Sequence, residues 1–280
     1  MQSDPFVKYQ TDGFVLFERY LDVAQCKQLK QRATTLASQP DISPGSFTTD
    51  QAKRTLEHYF LHSGDKIRYF YEESVTKVEP VAPPGPNTLN KIGHALHALD
   101  PLFARFTRQE KLGWIIRQLD FTTPGVIQSM LIFKAPNIGS EVRWHQDATF
   151  LHTEPVTVTG FWIALDDADE ENGCLWMIPG AHQAPLTRRL HRDQNDHTHF
   201  EELSPPMWDT NNAVPLCCPT GSVVMFHGKM PHFSKPNRSD RSRNAYTFHV
   251  IDLSSSYSST NWLQHPQGFQ PYFTSAANER

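Results

Sequence analysis

The sequence predicts a β-sandwich or jelly roll with helices packed on one face, and three observations carry that expectation. Short runs of β-branched and aromatic residues dominate from residue 126 onward. Turns rich in Gly and Pro separate them, and helical apolar spacing is confined to the part of the chain before them. At 280 residues the chain has a size that all-β sandwiches reach as one unit, so a single domain over 1–280 is expected.

The elements follow in order. After an extended start, Asp12-Gly13 is a turn signal leading into an apolar strand, Phe14-Val15-Leu16-Phe17. Residues 23–36 carry helical spacing through Cys26, Leu29 and Ala33. The polar stretches 40–51 and 79–87 read as loops. Between them, Tyr59-Phe60-Leu61 and Ile67-Arg68-Tyr69-Phe70-Tyr71 flank Ser63-Gly64-Asp65, the signature of a hairpin. Two helices are expected over 91–99 and 101–119, the second opened by Pro101. Strands are expected at 126–133, 156–165, 175–178, 223–227 and 245–251.

Composition narrows the function. Hydrophobic residues at 38% are enough to build a sizeable core, and no apolar run approaches the roughly 18 residues needed to span a bilayer. A formal charge of −4 with interspersed signs lacks the footprint of a nucleic-acid binder. The N-terminal residues lack a secretory pattern and the last three are not a peroxisomal address, so a cytoplasmic location is expected. Four cysteines without metal or framework spacing are expected to be reduced thiols.

The chemistry resides in His145-Gln146-Asp147. On a strand, residues i and i+2 face one way, so an imidazole and a carboxylate are aimed together. With a second, distant histidine they make a 2-His-1-carboxylate facial triad, which leaves three metal positions open to small molecules. His227 and His232 compete for the third place. His227 is in phase with Val223 and Met225, an apolar face, whereas His232 follows Pro231 where a side chain can reach a cavity, so His232 is the expected ligand. Arg243 lies eleven residues further on, at the approach to a strand, and its guanidinium suits a carboxylate. The run 191–199 reads as a solvated loop and 166–173 as the cap of a hairpin turn.

With these residues in view, the chain resembles the phytanoyl-CoA dioxygenase family. The resemblance spans nearly the whole sequence and rests on Asp12-Gly13-Phe14, Ser63-Gly64-Asp65-Lys66-Ile67-Arg68, Lys91-Ile92-Gly93-His94-Ala95-Leu96-His97, His145-Gln146-Asp147-Ala148, Glu171-Asn172-Gly173-Cys174-Leu175-Trp176 and Ser239-Asp240-Arg241-Ser242-Arg243. It implies a double-stranded β-helix of the cupin-like, jelly-roll kind, iron(II) held by His145, Asp147 and His232, and O2 as oxidant. It also implies 2-oxoglutarate held by Arg243, with Lys91, Met130, Trp162 and Ser234 at its site, and a small-molecule substrate. Arg143-Trp144 departs from the smaller residues of related chains. Two alternatives use the same residues: a non-redox zinc enzyme, against which the spacing of Arg243 weighs, and a non-catalytic jelly-roll binding module, against which the intact triad weighs.

Overall fold

The structure, a computed structural model, describes residues 4–39, 45–47, 58–78 and 80–273. The helices are α1 (Pro5–Asp12), α2 (Val23–Ala37), α3 (His58–Leu61), α4 (Leu96–Leu99), α5 (Pro101–Thr107) and α6 (Glu110–Arg117). The strands are β1 (Phe14–Phe17), β2 (Gly45–Phe47), β3 (Ile67–Glu72), β4 (Leu89–His94), β5 (Pro124–Ile132), β6 (Val142–His145), β7 (Thr153–Glu154), β8 (Thr159–Ala164), β9 (Leu175–Met177), β10 (Arg188–Arg192), β11 (Thr198–Glu202), β12 (Val214–Leu216), β13 (Val223–His227), β14 (His232–Ser234), β15 (Ala245–Asp252) and β16 (Ser256–Tyr257).

A large sheet runs β1-β13-β8-β15-β5-β4-β3-β2, and a smaller one runs β12-β9-β14-β6. Their neighbours are antiparallel, save for β2 beside β3. Alternation along β15 sorts the two sides of the large sheet. Tyr246, Phe248 and Val250 join the core shared with Leu29 of α2, Phe103 of α5 and Ile115 of α6. Ala245 instead joins the core between the sheets, with Trp162, Met177 and Phe226. Thr247 and His249, in phase with Ala245, line the cavities described below. The expected jelly roll with helices on one face is therefore present.

Several local expectations are corrected. The extended start is a helix: Asp4 accepts a hydrogen bond from the Phe6 amide at 2.9 Å and Pro5 opens the first turn, a cap signature the sequence reading passed over. That helix ends at Gly13 (φ +81°), where a Cβ would lie 2.3 Å from a ring atom of His182. Tyr59-Phe60-Leu61 is helical and not one arm of a hairpin, since β3 pairs with β2 and β4 instead. Winding these residues into a turn lets Phe60 pack on Trp262 (4.5 Å between ring centres) while Tyr59 meets Phe70 at 5.4 Å.

Residues 91–94 belong to a strand, with helix only from Leu96; β4 is buried along its whole length between β3 and β5, and only an extended chain can pair with both. The helix expected over 101–119 is two, divided at Arg108 and Gln109, so that Phe103 and Phe106 from one and Leu112, Ile115 and Ile116 from the other face the same core. The run 191–199 is the tip of the β10–β11 hairpin. The loop expected over 40–51 lies outside the described residues except at β2. Among the described residues no helix is long and apolar enough to cross a membrane.

Burial of neutral imidazoles makes stability depend on pH. Burial, with Lys91 nearby, holds His94 well below the ordinary value of 6.5, and burial and Arg108 push His97 down to about 4. Below 6.5 the unfolded chain binds protons that the folded state refuses, so stability is complete above that pH and is lost as pH falls toward 4. The slope is up to about 1.4 kcal/mol per pH unit per histidine. Urea midpoints at pH 7 and pH 5 check this: the acid midpoint is expected to be clearly lower, and His97→Asn should flatten the dependence.

Candidate active site

The antiparallel pair β6–β14 places His232 directly opposite His145. Their ring centres are 4.1 Å apart. The strand ends at His145, and Asp147 opens a 3-10 turn instead of continuing it as expected. Gln146 between them turns away: its amide donates to the Lys229 carbonyl at 2.8 Å, and its oxygen accepts from the Thr187 amide and hydroxyl at 3.0 Å. These bonds anchor the segment between the two candidate ligands. Asp147 Oδ1 lies 3.6 Å from His145 Nε2 and 3.8 Å from His232 Nε2. The three potential ligand atoms all fall within 4.8 Å of one another.

Hydrogen bonds decide which nitrogen of each ring carries the proton. His145 Nδ1 donates to the Arg143 carbonyl at 2.8 Å and His232 Nδ1 to the Met230 carbonyl at 3.0 Å. Each proton is thereby held at Nδ1, and each Nε2 lone pair points toward Asp147. The second carboxylate oxygen, Oδ2, accepts from His249 Nε2 at 2.9 Å. Burial alone would raise the Asp147 pKa, but the imidazoles of His249, His232 and His145 more than offset it and hold the carboxyl well below its usual range. Two neutral nitrogens and one ionised carboxylate form a donor set that can hold a divalent transition metal.

Two chambers meet at this triad. The first, of about 90 Å³, is lined by Met130, Trp162, Ser234, Thr247 and Arg243 together with the triad and His249. Met130, Thr247 and Trp162 face one another across β5, β15 and β8 and form its floor. Arg243 is 2% exposed, its guanidinium 5.5 Å from the Trp162 ring centre, and its Nε and Nη1 have no hydrogen-bond partner among the described residues. Burial pulls its pKa down to about 10. An uncompensated cation in a closed space is costly, and a ligand carboxylate would supply the missing acceptors.

The second chamber, of about 140 Å³, includes Phe60, Lys91, His94, Phe150, Leu151 and Trp262 in its wall and shares His145, Asp147, Met130 and His249 with the first. Lys91 therefore lies in this chamber and not beside Arg243, its Nζ 5.4 Å from the ring centres of Phe60 and Phe70. Outside them, a cleft of about 710 Å³ reaches His145 past Trp144 and Trp208. Trp144, one of the departures noted in the sequence, stacks on Phe233 at 4.5 Å.

His227 is absent from the cluster; it packs against His182, in keeping with its parity. Two contributors escaped the sequence reading. His249 was detectable by phase, since it shares the inward side of β15 with Ala245 and Thr247. Lys134 had no signal at all: buried to 2%, it donates to Ser234 Oγ and to the Lys235 carbonyl, both at 2.6 Å. Burial, with Arg243 nearby, lowers its pKa well below the ordinary lysine value. A second group, His58, His62 and Asp196, also clusters, but Asp196 already takes the Arg192 guanidinium at 2.6 Å. Cys26, Cys174 and Cys218 are buried free thiols and Cys217 an exposed one.

A sequence profile described as Phytanoyl-CoA dioxygenase (PhyH) matches residues 9–245. The Phytanoyl-CoA dioxygenase domain-containing protein 1 of Rattus norvegicus is 44% identical over 270 residues, covering 92% of each chain. An Arabidopsis thaliana protein named Phytanoyl-CoA dioxygenase is 37% identical over 268 residues, covering 95% of this chain and 94% of its own. Among solved structures, the epimerase SnoN in complex with Fe3+, alpha ketoglutarate and nogalamycin RO superposes with a TM-score of 0.64 at 15% identity, over 95% of this chain and 91% of that one. EctD from S. alaskensis with 2-oxoglutarate and 5-hydroxyectoine gives 0.61 at 18%, over 92% and 80%. These likenesses show the double-stranded β-helix fold.

Proposed function

We propose, from the premise that this chain belongs to the phytanoyl-CoA dioxygenase family, that it is an iron(II)- and 2-oxoglutarate-dependent dioxygenase hydroxylating a small molecule within a single oxygenase domain. The observation that carries this reading is the buried Arg243 guanidinium, whose Nε and Nη1 have no partner among the described residues, in a chamber that also includes the His145, Asp147 and His232 donor set. That donor set fits iron(II), and the orphaned guanidinium atoms fit the far carboxylate of a short dicarboxylic acid. Iron(II) with 2-oxoglutarate supplies the O2-dependent decarboxylation to succinate and the oxidation of a substrate C–H bond.

This chain's residues do the rest. His145, Asp147 and His232 would hold the metal. Arg243 would pair with the co-substrate carboxylate, and Lys134 holds Ser234 Oγ in the same chamber. Met130 and Trp162 bound its length, and Lys91 adds positive charge to the same system of cavities. His249 orients the Asp147 carboxylate, and the apolar walls around Phe150, Leu151 and Phe161 keep water from the reacting atoms.

The test is succinate formation from 2-oxoglutarate by iron(II)-loaded protein in air, without added substrate, alongside a chelated control and a direct titration of 2-oxoglutarate. Metal-dependent succinate release with saturable binding is the expected result. Failure of 2-oxoglutarate to bind the iron-loaded protein, together with no succinate, would overturn the reading.

A further inference from the structure

The larger chamber is lined by a side chain with a polar atom that nothing among the described residues satisfies. His94 is fully buried on β4, and its Nδ1 lies 2.7 Å from Ser63 Oγ. The Ser63 hydroxyl spends its single proton on the Phe60 carbonyl at 2.5 Å, so its oxygen must accept from His94 Nδ1–H. The imidazole proton is thus held at Nδ1. Nε2 is left as a bare lone pair, without a partner, on a side chain that lines the chamber beside the metal triad. Phe60, Phe70 and Trp262 surround the ring with centres 5.3, 5.5 and 5.1 Å away, an environment that keeps it neutral.

The missing group is therefore a hydrogen-bond donor, and its charge is constrained as well. An ammonium would share the chamber with Lys91 and Lys134, while of the two carboxylates in its wall Asp147 belongs to the metal triad and Glu72 is already engaged by the Asn90 amide at 2.9 Å. A neutral hydroxyl or amide N–H meets neither objection. Size follows from volume: about 140 Å³ is well below the roughly 300 to 1,000 Å³ that encloses a drug-sized ligand.

We propose, resting on the oxygenase reading, that this chamber receives the part of the substrate to be oxidised, and that His94 Nε2 positions it by accepting a hydrogen bond from a neutral hydroxyl or amide N–H. The substrate class is then a compact, largely apolar molecule or segment bearing one such donor. His94 is a positioning residue and selects against the same skeleton with the donor blocked. The selection is strong because a methylated analogue leaves a buried acceptor unpaired where the parent fills it.

The experiment uses full-length protein loaded with zinc(II) and 2-oxoglutarate, so that no turnover intervenes, and follows binding by ligand-observed NMR. The probes are matched pairs, cyclohexanol with methoxycyclohexane and 2-piperidone with 1-methyl-2-piperidone. The wild type is expected to bind each donor about tenfold more tightly than its methylated partner. His94→Phe, which keeps a flat buried ring, should abolish that preference while leaving 2-oxoglutarate affinity unchanged. Ser63→Ala, which frees the ring tautomer, should weaken the preference with His94 intact. Equal binding of both members by the wild type, no binding of any probe, or a preference that survives in His94→Phe would overturn the proposal; should that variant not fold, an undiminished preference in Ser63→Ala would do so. Titration of 2-oxoglutarate comes first: its failure to bind overturns the oxygenase reading, whereas its binding without donor preference overturns this proposal alone.

Discussion

Replacing Asp147 by alanine is expected to eliminate metal-dependent succinate formation and to lower metal affinity by more than about 100-fold. The carboxylate is the only anionic member of the donor set, and both imidazoles converge on its Oδ1. Removing a mere outer partner already costs roughly 10 to 100-fold in metal sites, which sets the floor for a ligand itself. His249 is such an outer partner, so His249→Phe is expected to fall inside that range. The two amino-acid choices at position 147 also separate folding from function. Alanine leaves the buried His249 Nε2–H without its acceptor and should cost about 1–3 kcal/mol in the metal-free protein. Asparagine keeps an oxygen for His249, so it should restore the urea midpoint without restoring metal binding. Metal content after dialysis, read beside urea unfolding, checks both arms; an alanine variant that retains iron and turnover would remove Asp147 from the site.

Arg243 is expected to show the opposite coupling between function and stability. Two charge-assisted hydrogen bonds to a carboxylate, at about 1.5–3 kcal/mol each, correspond to a loss of roughly 10² to 10⁴ in 2-oxoglutarate affinity when Arg243 becomes methionine. Arg243→Lys keeps the charge but not the planar fork and should fall between. In the ligand-free protein, however, the guanidinium is buried with Nε and Nη1 unpaired and with the Lys134 ammonium nearby. Arg243→Met removes that uncompensated charge, so its thermal midpoint without 2-oxoglutarate is expected to match or exceed that of the wild type. Adding saturating 2-oxoglutarate should then raise the midpoint of the wild type and leave the variant unmoved. A variant that is destabilised and still binds 2-oxoglutarate would assign Arg243 a structural role.

Much of this was legible in the sequence, and the residues that were not share a cause. His145 and Asp147 stand out because two candidate ligands come from three consecutive positions, and His232 and Arg243 because each follows a turn at a strand approach. Strand alternation alone separates His227 from His232, since period two is a local property of the chain. The strands from 126 onward were readable for the same reason.

Tertiary structure decided the remainder. Residues 91–94 have helical spacing yet form a strand, because pairing with β3 and β5 on both sides outweighs a local preference worth at most a fraction of a kcal/mol per residue. Tyr59-Phe60-Leu61 looks like a strand but winds into a turn, because Trp262, some two hundred residues away, offers Phe60 a ring to pack on. Lys134 carries no motif, and the turn signal at Ser63 says nothing of the hydrogen bond its hydroxyl makes; what the two do depends on Ser234 and Arg243 in one case and His94 in the other, all remote in sequence. The grouping of the candidate metal ligands was thus a matter of spacing along the chain. Which hydrogen bonds are left unfilled around them, at Arg243 and His94, is a property of distant segments brought together, and no local pattern encodes it.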